Sequence, residues 1–395
     1  MKIAIVSTHP IQYHIPWFVE LSSRPGVDVK IYFGCQPDER QQGVGFGASF
    51  DWDIPMYEGY DWQILENANR NPSTEGFFSS RVRNMLETLR KDRPDVLILT
   101  GWQALPLLQA LWAGIRLCVP CLVRGESSGL KPRGTLKRLI HRLLLSKFDG
   151  FLVIGEANRK FYSGYGVAES KLFPCPYFVE NKRILAQADA HGAKRQSFRE
   201  HWGIPPQSIC YLYVGKLVHK KHLLAQLAAL KDAISKDSNL HMLVVGDGEL
   251  MERARAFSKT HDLPVSFAGF LNQTEITSAY VTADCMVISS DYDETWGLVT
   301  NEAMVCGLPV IASDRVGCSL DLIKPGETGE IFPFGDVSAL SDLMVSMAKD
   351  SDHLNRMGAR ARDRVLQHYS PEVAADGTIR AAESLLGRDK LPANS

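Results

Sequence analysis

No stretch of the 395-residue chain reaches the ~18 consecutive apolar residues of a membrane-spanning helix. An excess of charge of one sign is missing too. A formal net charge of -1 gives no global pull toward nucleic acid or an anionic surface, so any such affinity has to come from a local patch. Paired metal-type cysteines are absent: the eight cysteines are scattered, mostly through apolar strand-like runs where a small buried thiol fits, and read as reduced. Cys118 and Cys121 form a lone CxxC in a predicted strand, with redox or metal use as the alternative. No Gly-x-Gly-x-x-Gly follows the first strand, which argues against a dinucleotide oxidoreductase. The chain has no repeat with a period of ~20–50 residues and no low-complexity tract, which excludes solenoids. The apolar run at the N-terminus is too short for a secretory signal, and the expectation is a cytoplasmic protein.

What the chain does have is 45% hydrophobic residues over a length that supports two or more cores of ordinary domain size. The first half alternates apolar runs at 2–7, 29–33, 95–100, 118–123 and 150–154 with helical patterns such as 81–91 and 136–145, after an amphipathic segment that follows Pro10 and continues to Leu21. Strands alternating with helices predict a parallel sheet wrapped on both faces. Residues 34–74 are rich in Gly, Asp, Asn and aromatics with little periodicity, which predicts long loops or short hairpins of the sort that shape a substrate cleft. Around Pro174 and Pro176 the alternation breaks and a polar, Ala-rich stretch follows to about 196, which places the domain boundary there. The second half repeats the plan with strands at 210–214, 242–245, 265–268, 285–289, 310–312 and 329–332. Ser370, Pro371 and Glu372 supply a cap, a first-turn proline and a first-turn acid for a last helix running to about 386, before a polar tail. The expected organisation is an α/β protein with doubly wound domains at 1–178 and 179–369, and a helix and tail at 370–395.

One stretch concentrates chemistry. From Ser289 to Met304 a strand stops at a polar loop, turns at Gly297 and enters a helix, with Glu294 before the turn and Glu302 on the helix. Both acids can face one ligand across the helix start, whose N–H groups suit a phosphate, while two carboxylates suit sugar or ribose hydroxyls. Solvated charge is the plain alternative for two acids so spaced. After the first strand of the second half, Gly215 is followed by Lys216, Lys220, Lys221 and two histidines, a cationic cluster suited to a diphosphate; Gly246 opens a tight turn after the next strand. In open α/β sheets ligands gather at the carboxyl ends of the strands.

These residues resemble the GT-B glycosyltransferases of the retaining family 4 type, the glycosyl transferases group 1, over nearly the whole chain. The family signature Glu-Gly-Phe-Gly-Leu-x-x-x-Glu is matched by Glu294-Thr295-Trp296-Gly297-Leu298-Val299-Thr300-Asn301-Glu302, with Trp296 in place of phenylalanine. Gly-Arg-Leu-x-x-x-Lys-Gly is matched by Gly215-Lys216-Leu217-Val218-His219-Lys220-Lys221-His222, with Lys216 in place of arginine. The run Ala268-Gly269-Phe270-Leu271 is also similar to the family. The resemblance implies two Rossmann-like domains facing a central cleft, the last helix crossing back to the first domain, and a UDP- or GDP-linked sugar on the second. By that analogy Lys216 and Lys221 grip the diphosphate, helped by backbone N–H groups near Leu298 and Val299, Glu302 takes the ribose and Glu294 the donor sugar. Phe270 and Leu271 border the base, while Gly215, Gly246, Thr295, Trp296 and Gly297 complete the donor side. Lys216, Lys221 and Glu294 are the implied catalytic set. Lysine lacks the bidentate fork of arginine, which alters the grip at Lys216.

The resemblance further implies retention at the anomeric carbon, with the acceptor hydroxyl attacking from the face the diphosphate leaves and the phosphate taking its proton. No cofactor is implied. Asp51-Trp52-Asp53 and Asp291-Tyr292-Asp293 spell the Asp-x-Asp of cation-dependent transferases, but such tripeptides arise easily by chance and no metal is expected. The first domain is expected to bind a saccharide or lipid-linked acceptor. Its first loop lacks the glycine pair of many relatives and offers His9, Gln12 and His14, for ligand contact or for capping and packing. Where many relatives carry His-Gly, this chain has Arg124 and Glu126 flanking Gly125, which suggests a different sugar or acceptor preference. Residues 131–147 hold six cations and no acid, interleaved with Leu136, Leu139, Ile140, Leu143 and Leu144. Such a helix either rests on an anionic membrane, making the protein peripheral on its inner face, or packs its leucines on the sheet. Surface polysaccharide or glycolipid assembly is the expected setting. A nucleotide-sugar 2-epimerase of the same fold and an inactive partner subunit are the competing readings. No nucleic acid is expected as a partner.

Overall fold

Ile3, Ala4, Ile5 and Val6 are at most 2% exposed, as a strand covered on both faces requires, and they form most of β1 (Lys2–Ser7). The computed structural model describes residues 1–387 apart from Phe46, Ala48 and Ser238. After β1 the chain runs through α1 (Ile15–Ser22), β2 (Asp28–Phe33), α2 (Glu39–Gln42), β3 (Asp61–Ile64), α3 (Met85–Asp92), β4 (Val96–Leu99), α4 (Leu105–Leu117), β5 (Cys121–Val123), α5 (Thr135–Leu145), β6 (Gly150–Val153), α6 (Glu156–Gly164) and β7 (Leu172–Pro174). These strands form one parallel sheet in the order β3-β2-β1-β4-β5-β6-β7.

The chain continues through α7 (Asn181–Gly192), α8 (Arg195–His201), β8 (Ile209–Val214), α9 (Leu223–Ile234), β9 (Leu240–Val245), α10 (Met251–Thr260), β10 (Val265–Gly269), α11 (Ile276–Thr282), β11 (Cys285–Ile288), α12 (Val299–Val305), β12 (Val310–Ser313), α13 (Ser319–Leu322), β13 (Gly329–Phe332), α14 (Val337–Ala348) and α15 (Ser351–His368). Its strands form a second parallel sheet, β10-β9-β8-β11-β12-β13. Asp336 and Asp350 cap α14 and α15 by accepting from the N–H groups of Ala339 (2.9 Å) and His353 (2.8 Å).

The last helix, α16 (Pro371–Leu385), returns to the first sheet and packs on α1 and the β6–β7 edge. There Trp17 Nε1 donates to Thr378 Oγ1 (3.1 Å) and Arg24 pairs with Asp376 (2.9 Å). The polar tail expected after it lies outside the described residues. By contacts the chain divides into one unit of Met1–Gln42, Pro55–Tyr177 and α16, and a second of Gly43–Ile54 with Phe178–Ser370. The division falls between Tyr177 and Phe178; the transfer of Gly43–Ile54 to the second unit is not visible in the linear pattern.

Three stretches differ from the sequence reading. β3 lies inside the loop-like region because its outward residues are polar or half-wet and show no apolar alternation. β7 tolerates Pro174 because it is an edge strand. The polar stretch after the boundary, in which the sequence pattern marks no element, forms α7, held within the second unit by Arg183 on Gln273 and by His191 on Thr277. The apolar stripe of α5 is also not packed on the sheet. Leu136, Leu139, Ile140 and Leu143 are 71%, 56%, 54% and 61% exposed, and only Leu145 on that helix is buried. Among the described residues no helix is long and apolar enough to cross a membrane.

The approach of α16 to the first sheet is backbone to backbone at Gly377, where a Cβ would lie 1.9 Å from the Pro174 carbonyl oxygen. Helix propensity alone would make Gly377→Ala stabilising by about 1 kcal/mol. The close approach should reverse that sign and cost about 1–3 kcal/mol, read as a lower unfolding midpoint in urea.

Candidate functional site

In the second sheet the strand order reverses between β8 and β11, the position at which sheets of this type bind ligands beyond the carboxyl ends of their strands. Gly215 and Lys216 follow β8, Gly246 follows β9, Phe270 and Leu271 follow β10, and Glu294 follows β11, so the expected donor residues share one edge. The loop after β8 is braced from below. The Tyr213 hydroxyl donates to the Lys216 carbonyl (2.9 Å) and Leu217 N to the Asp247 carbonyl (2.8 Å). Buried Gln226 on α9 donates to Ser289 Oγ (2.8 Å), and Ser289 Oγ donates to the Lys221 carbonyl (3.0 Å), which ties the Lys221 backbone to the end of β11.

Lys221 Nζ bonds Glu294 Oε2, both side chains being about one-seventh exposed, at 14% and 15%. Lys216 Nζ donates to the Val44 carbonyl. Glu302 is buried, 2% exposed, and accepts from the Tyr280 hydroxyl at 2.7 Å. Thr295, Leu298 and Val299 are half-buried along the same loop. The helix that they introduce, α12, has only seven residues, too short a stack of peptide dipoles to rival the two lysines. Trp296 corrects an expectation. Its side chain is 3% exposed, donates from Nε1 to Asn301 Oδ1 (2.8 Å) and packs near Tyr369, so it locks the loop from inside and its ring is buried rather than at the surface.

The Asp-x-Asp tripeptides are engaged elsewhere. The Asp53 carboxylate accepts from Thr274 N and Oγ1, and Asp291 Oδ1 accepts from Asp293 N (2.8 Å). Among the described residues no group of three or more His, Cys, Asp or Glu is placed to hold a metal ion. Burial and the neighbouring Asp149 push the Cys121 thiol up to about 12, which leaves it inert as a nucleophile near neutrality.

The first unit gathers a separate cluster at its own strand ends. His9 follows β1, Arg124 and Glu126 follow β5, His14 precedes α1, and Tyr177 follows β7. Arg124 is 1% exposed, with its guanidinium 4.5 Å from the Tyr177 ring and 5.4 Å from the Trp17 ring. The Tyr177 hydroxyl donates to Glu126 Oε1, and His14 Nε2 lies 3.7 Å from the same oxygen. Glu126 keeps 39% of its side chain open, whereas His14 is 2% exposed. Of the expected acceptor residues, then, Arg124 and His14 stand behind Glu126; His9 and Gln12 are half-buried.

Burial holds the His14 imidazole below its usual value, and burial beside His14 holds His9 down at about 4, so both are neutral near pH 7. Burial alone would raise the Glu126 carboxyl, but its partners His14, Tyr177 and Arg124 outweigh burial and hold it below the ordinary value. Tyr177, Tyr280, Trp17 and Gln226 escaped the sequence reading. Tyr177 sits in the Pro-Cys-Pro-Tyr stretch that read as a boundary, and the others look like ordinary core residues.

The family model described as Glycosyl transferases group 1 matches residues 194–364. The chain is 32% identical over 209 residues to a GDP-mannose-dependent alpha-mannosyltransferase of Mycobacterium tuberculosis, covering 52% of this chain and 50% of that protein. It is 26% identical over 298 residues to the alpha-monoglucosyldiacylglycerol synthase of Streptococcus pneumoniae, covering 70% and 64%. The match spans less than two thirds of the length of each of these relatives. A glycosyltransferase from Rickettsia africae superposes with a TM-score of 0.74 at 15% identity, over 98% of both chains. The fold is GT-B.

The Glu126 carboxylate has its full stabilising effect above the ordinary carboxylate range and loses it as pH falls through its depressed folded value. Arg124→Met removes the charge that supports it. The expected loss at pH 7 is about 2 kcal/mol, less than for a fully enclosed pair because Glu126 is part-open. Urea unfolding over a pH series should show this loss shrinking as the solution is acidified; a pH-independent loss would assign Arg124 to packing alone.

Proposed function

Residues 194–364 belong to the glycosyl transferases group 1 family and the chain has the GT-B fold, and from that premise we propose that the protein is a retaining, metal-independent glycosyltransferase that moves a sugar from a nucleoside diphosphate to a hydroxyl acceptor. The observation that carries the reading is the Lys221–Glu294 pair beside Lys216 at the β8/β11 reversal. A diphosphate brings the anionic oxygens that Lys216 and Lys221 can bond, each such charge-assisted bond contributing about 1.5–3 kcal/mol. As Lys221 turns to phosphate, Glu294 becomes available to hydroxyls of the donor sugar. Glu302, oriented by Tyr280, takes the ribose hydroxyls, and Phe270 and Leu271 border the base, for which uracil and guanine both remain in the reading.

In the reaction the bond between the anomeric carbon and the phosphate oxygen breaks, the acceptor oxygen bonds to that carbon on the same face, and the acceptor's proton passes to the departing phosphate. Negative charge grows on the leaving group, and the fixed ammonium groups of Lys216 and Lys221 offset it. Glu126, open at the end of β5 and set by Tyr177, is the acceptor-side carboxylate, with His9 and Gln12 as further contacts; Arg124 and His14 act through it. Arg124, expected from the sequence as an acceptor contact, is in this reading a positioning residue instead.

The exposed stripe of α5 supports a peripheral membrane contact at an anionic surface. Its four apolar residues point to water while six cations and no acid lie within residues 131–147. A lipid-linked acceptor, and with it a part in glycolipid or surface polysaccharide assembly, follows from such a contact.

A panel of UDP-, GDP- and ADP-sugars should include at least one that raises the melting temperature; a ligand at 100 times its Kd adds about 2.7 kcal/mol. The shift should survive EDTA and vanish in the Lys216→Ala/Lys221→Ala protein, whose turnover should fall more than about tenfold, or roughly 1.4 kcal/mol. No shift with any of the sugars sinks the donor reading. In flotation, the protein should rise with vesicles containing phosphatidylglycerol at low salt and not with pure phosphatidylcholine. Leu139→Asp/Leu143→Asp should abolish the rise, and a wild type that stays at the bottom in both ends the membrane reading.

A further inference from the structure

The segment Gly43–Ile54 lies between β2 and β3 in sequence yet belongs to the second unit. Its contacts there follow one line. The Val44 carbonyl accepts from Lys216 Nζ, the Phe50 ring lies 4.4 Å from that of Phe270 with the planes at 33°, and Trp52 stands edge-on to Phe50 at 4.9 Å. Asn272 Nδ2 donates to the Asp51 carbonyl at 2.8 Å. The Asp53 carboxylate accepts from both the backbone and the hydroxyl of Thr274 just before α11. Gly45 has φ +82°, and a Cβ there would come within 3.0 Å of Lys216 Cδ. A larger residue would be strained and would crowd the lysine. Asp51-Trp52-Asp53, which reads as a metal tripeptide in isolation, is spent on anchoring this segment.

We propose that Gly43–Ile54 is a wall of the nucleotide site, in which Phe50 and Phe270 together present the apolar surface against which the base lies and the Val44 carbonyl fixes Lys216 for the diphosphate. The inference rests on the donor reading and adds to it a segment and residues that lie outside the matched family region, 194–364. The two rings are too close for a base to enter between them, so the base meets their joined outer surface. An ammonium carries three donors, and the bond to Val44 orients that of Lys216. The wall also explains why a stretch of Gly, Asp and aromatics with no secondary-structure period is held in one place: each anchor meets a residue at or just after the end of β8 or β10. Phe50, Asp53 and Val44 are positioned by sequence more than 160 residues from Lys216, as the separation of 172 between Val44 and Lys216 shows.

The test is calorimetric titration of the full chain with UDP, GDP, ADP and inorganic pyrophosphate. Phe50→Ala should weaken the tightest nucleotide by about tenfold, the scale expected when an aromatic that stacks a base is lost. It should leave pyrophosphate binding as in the wild type, and Phe50→Tyr should restore the nucleotide affinity. Asp53→Ala, a change at an exposed side chain, should also weaken the nucleotide and spare pyrophosphate. If Phe50→Ala fails to fold, Phe50→Leu keeps the bulk and removes the aromatic face. An unchanged nucleotide affinity in a variant with a wild-type melting curve overturns the wall, because the base then lies elsewhere. A gain in affinity overturns it too, because the segment then competes with the nucleotide. Failure of the wild type to bind any of the three nucleotides removes the donor reading and the wall with it, and that outcome is separated by the wild-type titration alone.

Discussion

Parallel pairing is the constraint from which the rest follows. Every strand pair in both sheets is parallel, so no two strands can be joined by a tight hairpin and each connection must cross back over a face. All the carboxyl ends of a sheet therefore lie along one edge. That is how Lys216, Gly246, Phe270 and Glu294, each from a different strand end, come to share an edge, and how His9, Glu126 and Tyr177 do so in the other unit. The same constraint demands strands buried on both faces, and the six residues of β9 are all buried. Polar chemistry is thereby pushed out of the strands into the loops that follow them.

The two units treat their charges in opposite ways. Lys221 and Glu294 keep enough exposure to exchange partners, so a phosphate can replace the carboxylate at modest cost. Arg124 cannot exchange. It is enclosed by Trp17 and Tyr177, and a buried guanidinium without a compensating charge would cost several kcal/mol, so Glu126 serves as its counter-ion. Trp17 is in turn fixed by Thr378 on α16, which makes the returning helix part of the support for the Glu126 carboxylate.

Alternation of strand and helix was legible because buried parallel strands are short apolar runs that leave a strong mark, and β1 and β13 have the bounds read from the sequence. The acids and lysines stood out because their motifs resemble the family signature; spacing alone left solvated charge as the plain alternative. What stayed hidden has a common cause: its signal is in contacts made far along the chain. β3 carries no apolar period because it is an outer strand, and α7 and α8 leave a weak mark because few apolar residues are buried on them and polar groups with distant partners hold them. Arg124 read as a ligand contact because an arginine beside a glycine at a strand end suits one; only the aromatic rings around it reveal that it is enclosed. Trp296 in the signature loop read as part of a ligand surface until its bond to Asn301 turned it inward.

The helix α5 and the segment Gly43–Ile54 pose the same question from opposite sides. On α5 the apolar stripe at i, i+3, i+4 and i+7 faces water, while His141, Leu144 and Leu145 hold the helix to the unit with help from Arg133 on Phe161. Burying four such side chains instead would contribute about 1.5–3 kcal/mol each, so stability of the unit cannot be the reason for this orientation. Gly43–Ile54 has the reverse character: its sequence lacks a period, yet its described residues Val44, Phe50, Asp51 and Asp53 are met by specific partners. An element whose local pattern should bury it but does not, and an element whose local pattern should leave it loose but does not, both depart from what propensity dictates. In each case the departure costs stability or entropy that nothing inside the element itself returns.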